Sequence, residues 1–183
     1  MNDTIRSILT RRSIKVYRPD QIKGEELEMI LLAGKYAASG RNRQPWYFVV
    51  VQDKDVLLEI NSTILAGRPA RPTPPGAPQR PSLLESAPAL IIVFGDSTVP
   101  TAIHDCTLAM GNMMLAATSM GLGSNWIHAI VRNLPQTEAG KALFQQWEVP
   151  AAYVPYAAAV FGYPGAEPAQ RSPRKEGVVK IIG

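Results

Sequence analysis

Two short cationic clusters stand near opposite ends of the chain, and both have the chemistry to hold one phosphate-like anion. Arg11-Arg12-Ser13-Ile14-Lys15 offers guanidinium, ammonium and hydroxyl donors within five residues, and Pro173-Arg174-Lys175 supplies two more cations. A phosphate monoester carries about −1.5 to −2 charges at neutral pH and three strong acceptor oxygens, which Arg meets in bidentate fashion. Arg11 and Arg174 are therefore the leading phosphate ligands, with Ser13 and Lys15 as supporting contacts and Arg12 and Lys175 beside them. Cations at a helix end also offset its dipole, so Arg11-Arg12 has an ordinary helix-terminating reading too. Between the clusters, Ala38-Ser39-Gly40-Arg41-Asn42-Arg43-Gln44-Pro45-Trp46 carries hydroxyl and amide groups at Ser39, Asn42 and Gln44 that both donate and accept. The alternative for this segment is a plain polar turn.

These residues need elements to position them. Asp3 can cap a helix through Ile5, Ile8 and Leu9, which delivers Arg11 and Arg12 at its C-terminal end. Gly24-Glu25-Glu26 opens a second helix, with Leu27, Ile30, Leu31 and Ala38 at near-helical spacing, that stops at Gly40. Trp46 to Val51 reads as a buried strand, and Asp53 starts a helix through Val56, Leu57 and Ile60. Residues 67 to 81 hold six prolines and three arginines without an acid, which forbids regular structure. That stretch is a linker or a lid over a rim; Ala89 to Phe94 follows at once as another buried strand, which favours one domain over residues 1–183. Arg68, Arg71 and Arg80 within it either meet an anionic substrate or keep the loop soluble.

Apolar residues at Ile103, Cys106, Met110, Met113, Met114 and Ala117 share a helical face, and the helix has so few charges that burial on more than one side is expected, in the core or against a second subunit. Ser124 to Ile130 reads as a strand, Gln136 to Trp147 as a surface helix and Tyr153 to Phe161 as a last strand. The tail over 164–183 is polar except for Val178-Val179 and Ile181-Ile182, which argue that it docks on something.

Several function classes are disfavoured. The chain has 183 residues, 46% of them hydrophobic and 19% charged, which is the balance of one globular domain large enough to fold without disulfides. No apolar run approaches the about 20 residues of a membrane helix, there is no signal-peptide pattern, and the single Cys106 has no internal partner, so a cytoplasmic setting is the default. The net charge of +4 comes from residues 1–18, with five cations against Asp3, rather than from a basic track with interleaved aromatics. One bound phosphate fits that better than nucleic acid does. Two histidines and one cysteine without metal-ligand spacing predict no metal site. His104 and Cys106 lie two residues apart and would face opposite sides of a helix. Neither Gly-x-Ser-x-Gly nor a Gly-x-Gly-x-x-Gly following a strand is present.

Four segments in order resemble the FMN-dependent nitroreductase family. They are Arg11-Arg12-Ser13-Ile14-Lys15-Val16-Tyr17; the 38–46 segment, with Ala38 where the family has proline; Gly121-Leu122-Gly123-Ser124-Asn125-Trp126; and Gly162-Tyr163-Pro164 with Pro173-Arg174-Lys175. The resemblance covers nearly the whole chain. It implies an α+β fold with a central, mostly antiparallel sheet flanked by helices, built as an intertwined homodimer with flavin sites at the subunit interface. It also implies that the tail adds a strand to the partner's sheet and that Ser39, Asn42 and Gln44 reach the flavin of the other subunit. Trp126, Ile127 and His128 would run along one ring face, with a backbone N–H of Ile127 or His128 near flavin N5, and the His128 side chain is either catalytic or an ordinary half-buried polar group. The expected activity is an oxidoreductase in which NADH or NADPH reduces FMN and FMN reduces a small acceptor by a ping-pong mechanism. The alternative is a flavin carrier or sensor without NAD(P)H turnover.

Overall fold

The computed structural model describes residues 1–66, 84, 86–168 and 170–183; the proline-rich stretch, with its proposed role as a lid, lies outside the described residues. Four strands form one antiparallel sheet in the order β1-β2-β4-β3, with β1 at Trp46–Val51, β2 at Ala89–Asp96, β3 at Gly123–Trp126 and β4 at Tyr153–Gly162. The sheet is buried on both faces, and period-two alternation sorts its side chains. Leu90, Ile92, Phe94, Ala158 and Val160 face one layer, whereas Ala89, Ile91, Val93, Ala157, Ala159 and Phe161 face the other. Pro155 cannot donate to the ladder, and the β2–β4 register shifts beside it, between Val93 and Phe94.

The first layer is covered by α3 (Lys54–Ala66), α5 (His128–Asn133) and α6 (Glu138–Gln146). Across the other face runs α4 (Ala102–Ser119), which buries Cys106, Met110, Met113, Met114 and Ala117, with α2 (Gly24–Lys35) and α1 (Asp3–Thr10) packed on it. Burial, and secondarily the neighbouring Asp105 carboxylate, raise the Cys106 thiol to about 12, so it stays protonated and serves as a small core residue. Its neighbour His104 is exposed, so the two do face opposite sides.

The structure corrects several local expectations. Asn2, not Asp3, caps α1, because its side chain accepts from the Ile5 N–H. The helix α2 ends at Lys35 rather than Gly40; Ala38 is exposed outside it, and Gly40 opens a short 3-10 turn. The segment expected as a strand from Ser124 to Ile130 leaves the sheet after Trp126 and turns helical at His128. There Ile130 and Leu134, one helical turn apart, are both fully buried, so helical spacing outcompetes the pleat. Ile103 is 49% exposed and belongs to the outer face of α4, not the core.

The end of α6 stores strain. Glu148 holds φ 53, its N–H bonds to Gln145 and the Val149 N–H bonds to Phe144, an arrangement that glycine favours at the residue after the C-cap. Glu148→Gly is expected to stabilise the fold by about 0.5–1 kcal/mol after the unfolded-state entropy of glycine is offset. An unchanged or lowered denaturant midpoint would contradict this.

Candidate functional site

The N-terminal cluster is held in place by glycines. A Cβ on Gly123 would lie 2.6 Å from the Ile14 side chain, so its absence lets residues 13–14 lie against β3. The Ile14 N–H donates to Ser124 O at 3.1 Å, and Ser13 bridges Ser124 in parallel. Further on, the Arg18 N–H bonds to Tyr163 O, the Gly165 N–H to Val16 O, and Tyr17 pairs with Pro164. Tyr17 is buried, with its hydroxyl donating to Ile14 O, and burial raises its phenol well above the usual range. The Tyr163 hydroxyl donates to Glu26 at 2.6 Å, which lowers the Glu26 carboxyl and raises the phenol. The arm 13–18 is thus pinned between β3 and residues 163–165, and the start of the chain meets the segment leading to its end.

In the Gly121-Leu122-Gly123-Ser124 motif each glycine has its own task. Gly121, at φ 79, ends α4 with its N–H on Thr118 O while the Leu122 N–H reaches Ala117 O. Gly123 admits the arm. Gly123→Val is expected to push Ile14 off β3, costing about 1–3 kcal/mol of stability and displacing the cationic cluster, so that bound cofactor falls while the far-UV spectrum is retained. Full cofactor content in this variant would count against the arm as a site element.

The arm and the tail segment line one pocket of about 440 Å³ that contains Arg11, Arg12, Ser13, Lys15, Ser172 and Arg174. Arg11 Nη1 is buried without a hydrogen-bond partner, and no ion pair among the described residues engages Arg11, Lys15 or Arg174. A buried guanidinium N–H without an acceptor is costly, and the chemistry of this donor set fits an anion. Arg171 fixes the geometry by donating to Arg11 O at 3.2 Å. Sequence reasoning missed Arg171 and Ser172, whose signal was their closeness to Pro173-Arg174, and Glu167, a carboxylate in the same lining. Lys175 does not line the pocket and is exposed.

Ser39, Asn42 and Gln44 gather in a turn of their own. Ser39 Oγ accepts the Gln44 N–H at 3.1 Å, and Gln44 Nε2 donates to Asn42 Oδ1 at 3.0 Å. None of them lines the cationic pocket of the same chain, nor do Trp126, Ile127 and His128. The Ile127 N–H is committed to Ala158 O at 2.8 Å. That leaves the His128 N–H, at the first residue of α5, as the donor of the pair with no acceptor among the described residues. The His128 side chain is exposed, not half-buried. A separate groove of about 450 Å³ runs along the outer edge of β1, lined by Tyr47 to Asp53, Val56 and Trp147, away from the cations. Among the described residues, no group of three or more His, Cys, Asp or Glu is placed to hold a metal ion, and no helix is long and apolar enough to cross a membrane.

An antiparallel sheet sandwiched between helix layers, with a cationic pocket lined by residues 11–16 and 166–174, defines an α+β protein. Residues 8–163 match the Nitroreductase family, and the chain belongs to it. A relative from Archaeoglobus fulgidus, 33% identical over 91% of this chain and 88% of its own, carries provisionally the name NADH dehydrogenase/NAD(P)H nitroreductase. An FMN reductase [NAD(P)H] of Bacillus subtilis is 30% identical over 95% of this chain and 70% of its own. The crystal structure of a nitroreductase with bound FMN from Bacteroides fragilis superposes with a TM-score of 0.87 at 30% identity, covering 100% of both chains.

Proposed function

We propose that this protein is an FMN-dependent NAD(P)H oxidoreductase that reduces a small acceptor, such as a nitroaromatic or a quinone, by a ping-pong mechanism. The observation that carries this reading is the buried, unpartnered Arg11 Nη1 in a pocket shared with Ser13, Lys15 and Arg174. Its donors suit a phosphate, and the Bacteroides fragilis relative binds FMN. When bound, FMN supplies the hydride chemistry between nicotinamide and acceptor, so the protein needs no general acid of its own.

The chain's residues then have binding and orienting tasks. Arg11 and Arg174 neutralise the phosphate, Ser13 and Lys15 add donors, and the His128 N–H offers a hydrogen bond to the ring. Ser39, Asn42 and Gln44 meet the ribityl chain and ring edge from a second copy, which is consistent with their distance from the pocket of their own chain. A homodimer is further supported by the exposed Ile5, Ile8 and Leu9 on α1, Met29 and Leu32 on α2, and Ile103 and Leu108 on α4. Val178, Val179, Ile181 and Ile182 are 65–88% exposed, and the open edge of β1 offers the partner's tail a place to pair.

Anaerobic titration of the yellow protein with NADH and NADPH tests this function, followed by reoxidation with a panel of acceptors. Bleaching of the flavin absorbance by at least one nicotinamide is expected. Absorbance that neither bleaches would contradict it and favour a carrier.

A further inference from the structure

We propose that Asp105 is a positioning residue for the flavin-binding turn, holding Ser39, Asn42 and Gln44 in their binding geometry from the core helix behind them. The inference rests on the reading that this turn contacts the flavin. Asp105 is 4% exposed, and among the described residues no ion pair engages it. Its Oδ1 accepts the Gly40 N–H at 3.1 Å and its Oδ2 accepts the Thr101 hydroxyl at 2.8 Å. A buried carboxylate is costly to desolvate and needs such donors, so one of its principal partners is the backbone at the root of the turn.

The turn needs that anchor because its backbone is strained. Arg41 has φ 54, Asn42 φ 54 and Gln44 φ 48, so three residues other than glycine occupy the left-handed region within four positions. Asn tolerates that region, whereas Arg and Gln pay for it. Strain of this kind persists only where the surroundings over-determine it. The contact at Gly40 is also close, since a Cβ there would lie 2.7 Å from Thr101 Oγ1, and only glycine lets the turn settle onto the start of α4. Asp105, Thr101 and Gly40 form a clamp upstream of the strained residues, and the bonds from Gln44 to Ser39 and Asn42 close the turn downstream.

Asp105→Ala should weaken FMN binding about 10- to 100-fold, the scale of a lost hydrogen bond to a charged group. Asp105→Asn keeps an acceptor for the Gly40 N–H and should recover most of the affinity. Gly40→Ala leaves Asp105 intact but should reproduce the loss, which keeps the test open if Asp105→Ala does not fold. The decisive readout is a double-mutant cycle on FMN affinity between Asp105→Ala and Asn42→Ala. If Asp105 acts through the turn, the double variant loses little more than the worse single variant. Additive losses, or Asp105→Ala and Gly40→Ala both binding as the native protein does, would overturn the positioning role. Asn42→Ala and Gln44→Ala both binding FMN normally would instead overturn the underlying reading that the turn contacts the flavin, and the positioning role with it.

Discussion

Arg11→Ala is expected to purify largely colourless, with the Kd for FMN raised about 10- to 100-fold, because a charge-assisted hydrogen bond contributes about 1.5–3 kcal/mol. The side chain can be removed without disturbing its backbone. The Arg11 N–H caps α1 on Ser7 O, and its carbonyl is held by Arg171, neither of which involves the guanidinium. The sign of the stability change separates a ligand from a structural residue. Arg11 Nη1 is buried with no partner, so its removal relieves a desolvation cost that nothing in the chain repays. Thermal unfolding of the cofactor-free variant should therefore occur at or above the native midpoint, while flavin content after dialysis drops. A variant that keeps its flavin, or that loses stability without losing flavin, would contradict the assignment. Arg174→Ala should act in the same direction but less strongly, since Arg174 is exposed and its bond to phosphate is more hydrated.

Leu108→Arg is expected to split a homodimer of about twice 19.9 kDa into monomers, as read by light scattering on a sizing column. Leu108 is 51% exposed on the outer face of α4, a helix whose acidic residue, Asp105, points inward. A guanidinium forced into an apolar interface without a partner costs several kcal/mol, enough to shift a dimer equilibrium by orders of magnitude. Deletion of residues 176–183 should weaken the dimer less. Burying Val178, Val179, Ile181 and Ile182 gains about 1.5–3 kcal/mol each, but ordering residues 176–183 at about 1–2 kcal/mol per residue offsets that gain. In the proposed dimer the helical face rather than the tail would thus carry the association. A Leu108→Arg protein that keeps the dimer mass, or a native protein that is monomeric, would refute this division.

The sequence made some of this legible and hid the rest for physical reasons. Short continuous apolar runs at Ala89 to Phe94 and Tyr153 to Phe161 read as buried strands, and the low charge of residues 101–120 marked the core helix correctly. The two cationic clusters could be paired because charge type survives without knowledge of the fold, and Arg11, Ser13, Lys15 and Arg174 do line one pocket. What spacing could not show was the fate of Ser124 to Ile130, where β-branched residues suit a strand yet Ile130 and Leu134 enter the core at helical spacing. Nor could it show that Gly123 admits the Ile14 arm, since a glycine's function lies in what approaches it. Asp105 was invisible as a site element because its partner, the Gly40 N–H, is 65 residues distant in the chain.

The most direct test of the central claim compares FMN with riboflavin, which differ only in the phosphate, for binding to the flavin-free protein by fluorescence quenching. If Arg11 and Arg174 hold the phosphate, FMN binds at least about 100-fold more tightly than riboflavin, and Arg11→Ala narrows the difference about 10- to 100-fold by lowering FMN affinity alone. Equal affinity for the two flavins would contradict the account, as would a preference of unchanged size in the variant.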